Sequence, residues 1–205
     1  MEDALVREKE RTVRSLNGAI RISACAVALL VATGYGTRLP LAAPLPPAPP
    51  VPAASDVVAG ALKTASADRK VVLIEFGASW CTWCRRFEAF VQAPDVASIV
   101  AANYVVVNLV VQEREEKKAL ENPGGQEVMD KWGGAKSGLP FYVFLDASGR
   151  KIADSNAMPD GGNVGFPGNA KEAAIFLGLL DKTAPRLASA DRAKVVRYLD
   201  AVAKP

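Results

Sequence analysis

Residues 70–76 read KVVLIEF, and five residues after Phe76 the chain presents Cys81-Thr82-Trp83-Cys84. The first run is rich in β-branched residues and predicts a strand buried on both faces. A strand of that kind needs neighbouring strands and a covering layer on each side, so the domain has to be built of packed layers. The glycine-and-serine turn at residues 77–80 then delivers a pair of cysteines to the start of a helical pattern.

The remaining elements follow from periodicity and punctuation. Residues 56–67 place Val57, Val58, Ala61, Leu62 and Ala65 at helical spacing. Residues 81–103 read as helix with a break near Pro94. Residues 104–111, YVVVNLVV, read as a second buried strand. The stretch 113–136 is charged and then glycine-rich, with helical turns expected near residues 126–132. Residues 141–146, FYVFLD, form a strand, Ala147-Ser148-Gly149 a tight turn, and residues 151–154 a partner strand. Residues 155–169 hold glycines and prolines and read as a loop, and residues 171–183 and 189–203 as two amphipathic helices. The order is β-α-β, then a hairpin, then helix. A helical crossover implies parallel pairing of the first two strands, and the hairpin adds antiparallel ones. The expected class is α/β, a mixed central sheet flanked by helices.

The N-terminal part belongs to a different regime. Residues 22–37 run sixteen positions without a charge between Arg21 and Arg38. That length suits either an uncleaved membrane anchor or a cleaved signal peptide, and the anchor is favoured. Cys25 lies inside this run and is read as a small apolar residue. Residues 40–52, PLAAPLPPAPPVP, favour extended polyproline and read as a spacer. The organisation expected is therefore a signal or anchor at 1–38, a Pro/Ala linker at 39–55 and a folded domain at 56–205. The protein is placed at the cell envelope, on the periplasmic side, anchored or secreted.

Composition removes several functions. There are 25 basic and 22 acidic residues and no histidine, for a net charge of +3. A near-balanced charge offers no footprint for nucleic acid. Without histidine there is no Ser-His or Cys-His catalytic pair, and the lone C-x-x-C lacks the second ligand pair of a structural zinc site. No metal or other cofactor is expected. What remains for Cys81 and Cys84 is redox chemistry. At a helix start the free N–H groups and the dipole favour a thiolate, which marks Cys81 as the attacking sulfur. Cys84, one turn on, can reach back and resolve a mixed disulfide. A purely structural bridge is the weaker reading, because closing two residues constrains little chain.

Two further features agree. Glu75 lies within the buried run, six residues before Cys81. Burial raises a carboxyl pKa, making Glu75 the candidate for proton exchange with Cys84; the bland reading is a strand-end carboxylate in solvent. Leu139-Pro140 stands at the start of a strand, where proline is tolerated and a cis bond would free the Leu139 backbone for an extended peptide. Arg85 and Arg86 either support the thiolate or are solvated, with solvation favoured. The segment 163–167, NVGFP, either lines the site or caps the core, with the core favoured.

FGASWCTWC, the acid six residues before its first cysteine, and the later GLPFYVFLD together resemble the thioredoxin superfamily over residues 56–205. The C-x-W-C spacing and the glycine-rich loop are most similar to bacterial envelope members. The resemblance implies that Cys81 attacks, Cys84 resolves and Glu75 assists proton transfer. It also implies that Pro140 is cis and meets substrate, and that Trp80 shapes the site surface. Trp83 and Leu139 join the expected substrate-binding residues. Thr82-Trp83 stand where thioredoxin has Gly-Pro, so its reducing strength is not carried over. The expected activity is thiol-disulfide exchange with cysteine-containing envelope proteins, coupled to a membrane electron donor or acceptor. The alternatives are a peptide-binding module without turnover and a peroxide-reducing enzyme, and the C-x-x-C spacing disfavours the second.

Overall fold

The computed structural model describes residues 49–202. The expected signal or anchor, Cys25 and most of the proline-rich linker lie outside the described residues. Among the described residues no helix is long and apolar enough to cross a membrane.

Helix α1 (Ala54–Asp68) turns Val58, Ala61 and Ala65 inward at helical spacing and ends on Arg69 in the left-handed conformation. Ala54 and Ser55, read from sequence as linker, form its first turn. Strand β1 (Val71–Gly77) follows, then α2 (Thr82–Gln92) and α3 (Pro94–Asn103). Ala93 between them is extended, because Pro94 has no N–H to continue the helix and serves at the start of the next one. Strand β2 (Tyr104–Val110), a short 3-10 helix (Glu115–Leu120) and α4 (Gly125–Lys131) come next. Strands β3 (Phe141–Leu145) and β4 (Lys151–Asp154), then α5 (Ala170–Thr183) and α6 (Ser189–Val202), complete the chain.

The sheet order is β2-β1-β3-β4. β1 pairs parallel with β2 and antiparallel with β3, and β3 pairs antiparallel with β4, so the sheet is mixed as expected. Successive side chains of β1 go to opposite faces. Val72, Ile74 and Phe76 join Val143, Leu145 and Met129 in a core with α1 and α4. Val71 and Leu73 join Tyr142, Phe144, Phe87, Phe90, Phe176 and Leu199 in a core with α2, α3, α5 and α6. Glu75 is in phase with Val71 and Leu73, which aims it toward α2.

One element differs from its expected setting. β2 is an edge strand, with Val105, Val106 and Val107 half-buried and Asn108 exposed. Its apolar run reads like that of a central strand, but among the described residues only β1 pairs with it. An edge strand under helices still rewards β-branched residues, so composition does not distinguish the two positions.

Two glycines make opposite predictions. A Cβ on Gly134 would fall 2.5 Å from Met129 Cγ and 2.7 Å from Phe141 Cδ1, both in the core. Gly134→Ala is expected to destabilise the protein by roughly 1–3 kcal/mol. Gly60, inside α1, has nothing within 4 Å of that position. Gly60→Ala is expected to stabilise it by about 0.5–1 kcal/mol. Urea unfolding of both variants checks the pair: shifts of the same sign would contradict this account of the packing.

Candidate active site

β1 ends at Gly77, and the chain turns through Ala78, Ser79 and Trp80 before α2 begins. Cys81 is the N-cap of α2, in extended conformation, and its Sγ accepts the N–H of Cys84 at 3.0 Å. Cys81 and Cys84 are joined in a disulfide with Cα atoms 5.3 Å apart. Both are buried, and they pack with Ala78 and Leu139. The helix start therefore supplies an N–H directed at the first sulfur, the arrangement that favours a thiolate once the bond opens.

Beneath the pair lies Glu75. It is 1% exposed, and among the described residues neither carboxylate oxygen has a hydrogen-bond partner. A Cβ on Gly77 would lie 3.3 Å from Cys84 Sγ and 3.6 Å from Glu75 Oε1. The carboxyl group and the second sulfur thus border the same small space, left open by a missing side chain. Burial, reinforced by the charge of Glu88, pushes the Glu75 carboxyl up to about 8. The solvated reading of Glu75 is set aside. Glu75 borders a crevice of about 390 Å³ that Glu88, Arg85, Asn108, Glu113 and Leu120 also line.

The outer surface carries the two tryptophans. Trp80 is 43% exposed, and its Nε1 donates to the carbonyl of Gln112 at 2.8 Å. Trp83 is 41% exposed, with the Arg86 guanidinium 4.4 Å from its ring centre. A Cβ on Gly168 would come within 2.8 Å of Trp83 Cη2, so the ring rests on that glycine. Trp83, Leu139, Pro140, Asn163, Gly165 and Glu172 are among the residues lining a groove of about 600 Å³ beside the disulfide.

The Leu139–Pro140 bond is cis. Among the described residues, neither the N–H nor the C=O of Leu139 finds a hydrogen-bond partner. Asn163 Nδ2 donates to the carbonyls of Gly138 at 2.7 Å and Pro140 at 3.0 Å, and its Oδ1 accepts the Gly165 N–H. The groove wall is therefore stitched to the proline loop. The segment at 163–167 serves both roles weighed from sequence: Val164 and Phe166 enter the core while Asn163 and Gly165 face the groove.

Arg85 and Arg86 are both exposed, as the favoured reading has them, and they also make local contacts. Arg85 donates to the Ser79 carbonyl at 2.9 Å and to Thr82 Oγ1 at 3.2 Å, and Arg86 covers Trp83. All seven site residues expected from sequence fall around one disulfide and its groove. Sequence reasoning missed Ser79, Gln112, Glu113 and Gly168, whereas Asn163 lies in the 163–167 segment it weighed between lining the site and capping the core. Glu113 sits in the charged run QEREEKK, where nothing separates a buried acid from its solvated neighbours.

A family model described as thioredoxin-like matches residues 53–147. A curated relative, the disulfide bond reductase DsbH of Chlamydia pneumoniae, is 25% identical over 106 residues, which is 51% of this chain and 63% of that protein. The chain thus matches less than two thirds of that relative's length. Among solved structures, a disulphide isomerase from Xylella fastidiosa Temecula1 aligns with a TM-score of 0.44 at 17% identity, covering 74% of this chain and 92% of that one. A DsbH oxidoreductase aligns with a TM-score of 0.40 at 20% identity, covering 85% and 99%.

Proposed function

We propose, from the match of residues 53–147 to a thioredoxin-like family model, that this chain is a thioredoxin-superfamily thiol-disulfide oxidoreductase acting on cysteine-containing proteins of the cell envelope. The observation that carries the reading is the Cys81–Cys84 disulfide at a helix N-terminus above a buried, partnerless carboxyl.

In the reducing direction, the Cys81 thiolate attacks one sulfur of a substrate disulfide. A mixed disulfide forms and one substrate sulfur leaves as thiolate. Cys84 then gives its proton to the Glu75 carboxylate and attacks Cys81 Sγ. The substrate leaves with both sulfurs reduced, and the protein holds the disulfide seen in this structure. Recharging needs a dithiol donor: one donor thiolate attacks Cys81 Sγ, Cys84 departs and takes a proton from Glu75, and the donor's second thiolate then displaces Cys81 as a thiolate, so the donor leaves as a disulfide. A carboxyl near pH 8 lies close to an ordinary thiol, so the proton passes either way at little cost. The groove beside Pro140 would hold an extended stretch of substrate, pairing with the free backbone groups of Leu139.

The envelope setting rests on the apolar run at 22–37 and the spacer that follows it. Recharging would fall to a membrane partner, since a soluble thiol pool is not assumed there. The name of the curated relative favours reduction as the physiological direction. A peptide-binding module without turnover would use the same groove, but it has no need of a joined cysteine pair.

The test is equilibration of the full chain in thiol buffers of defined potential, with Cys81–Cys84 quantified by alkylation. A midpoint near about −270 mV marks a reductant, and one near about −120 mV a donor of disulfides. Absence of any reversible step would sink the oxidoreductase reading in favour of the binding module.

A further inference from the structure

The turn that carries Cys81 is held from outside by a segment that takes no part in the chemistry above. Between β2 and α4 the chain leaves the sheet at Val111, whose N–H donates to the Gly77 carbonyl at 2.8 Å. Gln112 then adopts the left-handed conformation, with φ of 54°, uncommon for a residue with a side chain. That conformation presents its carbonyl to the Trp80 indole N–H. The next residue, Glu113, is 4% exposed. Its Oε1 accepts the Ser79 N–H and its Oε2 the Ser79 hydroxyl at 3.0 Å. Lys117 Nζ also donates to Ser79 Oγ, at 3.1 Å. The strap is itself braced, because the Glu113 N–H donates to Glu121 Oε1 at 2.6 Å and Lys118 pairs with the same oxygen. From the opposite side, Arg85 donates to the Ser79 carbonyl.

We propose that Glu113 is a positioning residue of the redox site, holding the turn 78–80 so that Cys81 stays at the N-cap of α2. This deepens the redox reading above and rests on it. A buried carboxylate that accepts two hydrogen bonds from one residue is a strong and directional tether. Sγ of Cys81 meets the Cys84 N–H only while Cys81 keeps its N-cap geometry, with φ of −79° and ψ of 106°. Freed from Glu113, the turn samples other geometries and the thiolate loses that donor, so the thiol becomes harder to ionise. The charged groups around the site are Glu75 from β1, Arg85, Arg86 and Glu88 from α2, Glu113 and Lys117 from the strap, and Lys136 and Glu172 on the groove. The β3 side offers the uncharged Leu139 and Pro140.

Tethering and charge predict opposite signs, which makes the inference testable. As a bare negative charge near the turn, Glu113 would disfavour the thiolate, and its removal would make Cys81 more acidic. As a tether, its removal makes Cys81 less acidic. The experiment is the pH profile of Cys81 alkylation in the reduced full chain, for wild type, Glu113→Gln, Glu113→Ala and Ser79→Ala. Glu113→Ala is expected to move the midpoint up by about one pH unit, slowing alkylation about tenfold below it. Glu113→Gln keeps an acceptor for the Ser79 N–H and is expected to stay close to wild type. Ser79→Ala loses only the hydroxyl contacts and is expected to slow alkylation about threefold, in the same direction. A Glu113→Ala profile that overlays wild type overturns the inference, as does a downward move shared by both Glu113 variants. Should Glu113→Ala not fold, Ser79→Ala decides, since Ser79 is exposed and an unchanged profile there overturns it equally. Failure of the redox reading is separate: it appears as a wild type with no reversible disulfide in thiol buffers.

Discussion

Glu75→Gln is expected to make the protein more stable at pH 9 than wild type by about 5 kcal/mol while slowing disulfide exchange about 10²-fold. The folded carboxyl ionises at about 8 instead of 4.5, chiefly because burial strips it of water and secondarily because Glu88 is negative. Its raised pKa means that the folded state holds a proton the unfolded state has released. The contribution of Glu75 to stability is therefore complete below pH 4.5 and is lost as pH climbs through about 8. Wild type should weaken across that window by up to about 1.4 kcal/mol per pH unit from this residue alone. Glutamine matches the protonated acid in shape and does not ionise, so the window should flatten. The two proteins should converge near pH 4.5. Urea unfolding at pH 5, 7 and 9 checks the stability claim, and a wild-type slope unchanged by the substitution would refute it. The kinetic claim has its own cause, because an amide cannot pass a proton to or from Cys84. Stopped-flow reduction of the Cys81–Cys84 bond by a dithiol measures that step.

Phe87→Ala is expected to cost about 3–5 kcal/mol, seen as a lower urea midpoint with an unchanged denaturant slope. Phe87 lies one turn after Cys84 on α2 and is fully buried. Its ring stacks on Tyr142 with centres 5.1 Å apart and meets Phe166 and Phe176 edge-on at 6.3 and 6.4 Å. These partners come from β3, the groove loop and α5, so one side chain ties the helix bearing the cysteines to three other parts of the fold. Alanine would leave a cavity among rigid rings that cannot collapse to fill it. A loss below about 1 kcal/mol would show that the cluster repacks freely and that α2 is held elsewhere.

Much of this was legible in the amino-acid order because it depends on local chemistry. The run KVVLIEF has one economical use, and a C-x-x-C behind it on a helix start has few others. Pro94 divides α2 from α3 because a proline carries no N–H, wherever the helices pack. Glu75 was identifiable as a candidate from the strand pattern, since acids are seldom fully buried and one inside such an apolar run stands out. β2 was misjudged as buried for the matching reason. Edge and centre differ in what lies alongside, and the strand's own residues do not record it.

By itself, then, the sequence determined the elements, the redox pair and the acid beneath it, all of which follow from spacing within a single strand-turn-helix unit. Only the tertiary structure decided what surrounds that unit. Glu113 lies 34 positions from Ser79 and Asn163 lies 23 from Pro140. Each is an ordinary polar residue in a polar stretch until the fold brings it to a particular backbone group. A hydrogen bond between distant residues depends on a geometry that neither residue's neighbours encode, so the strap on the cysteine turn and the wall of the groove emerge only when the chain has closed on itself.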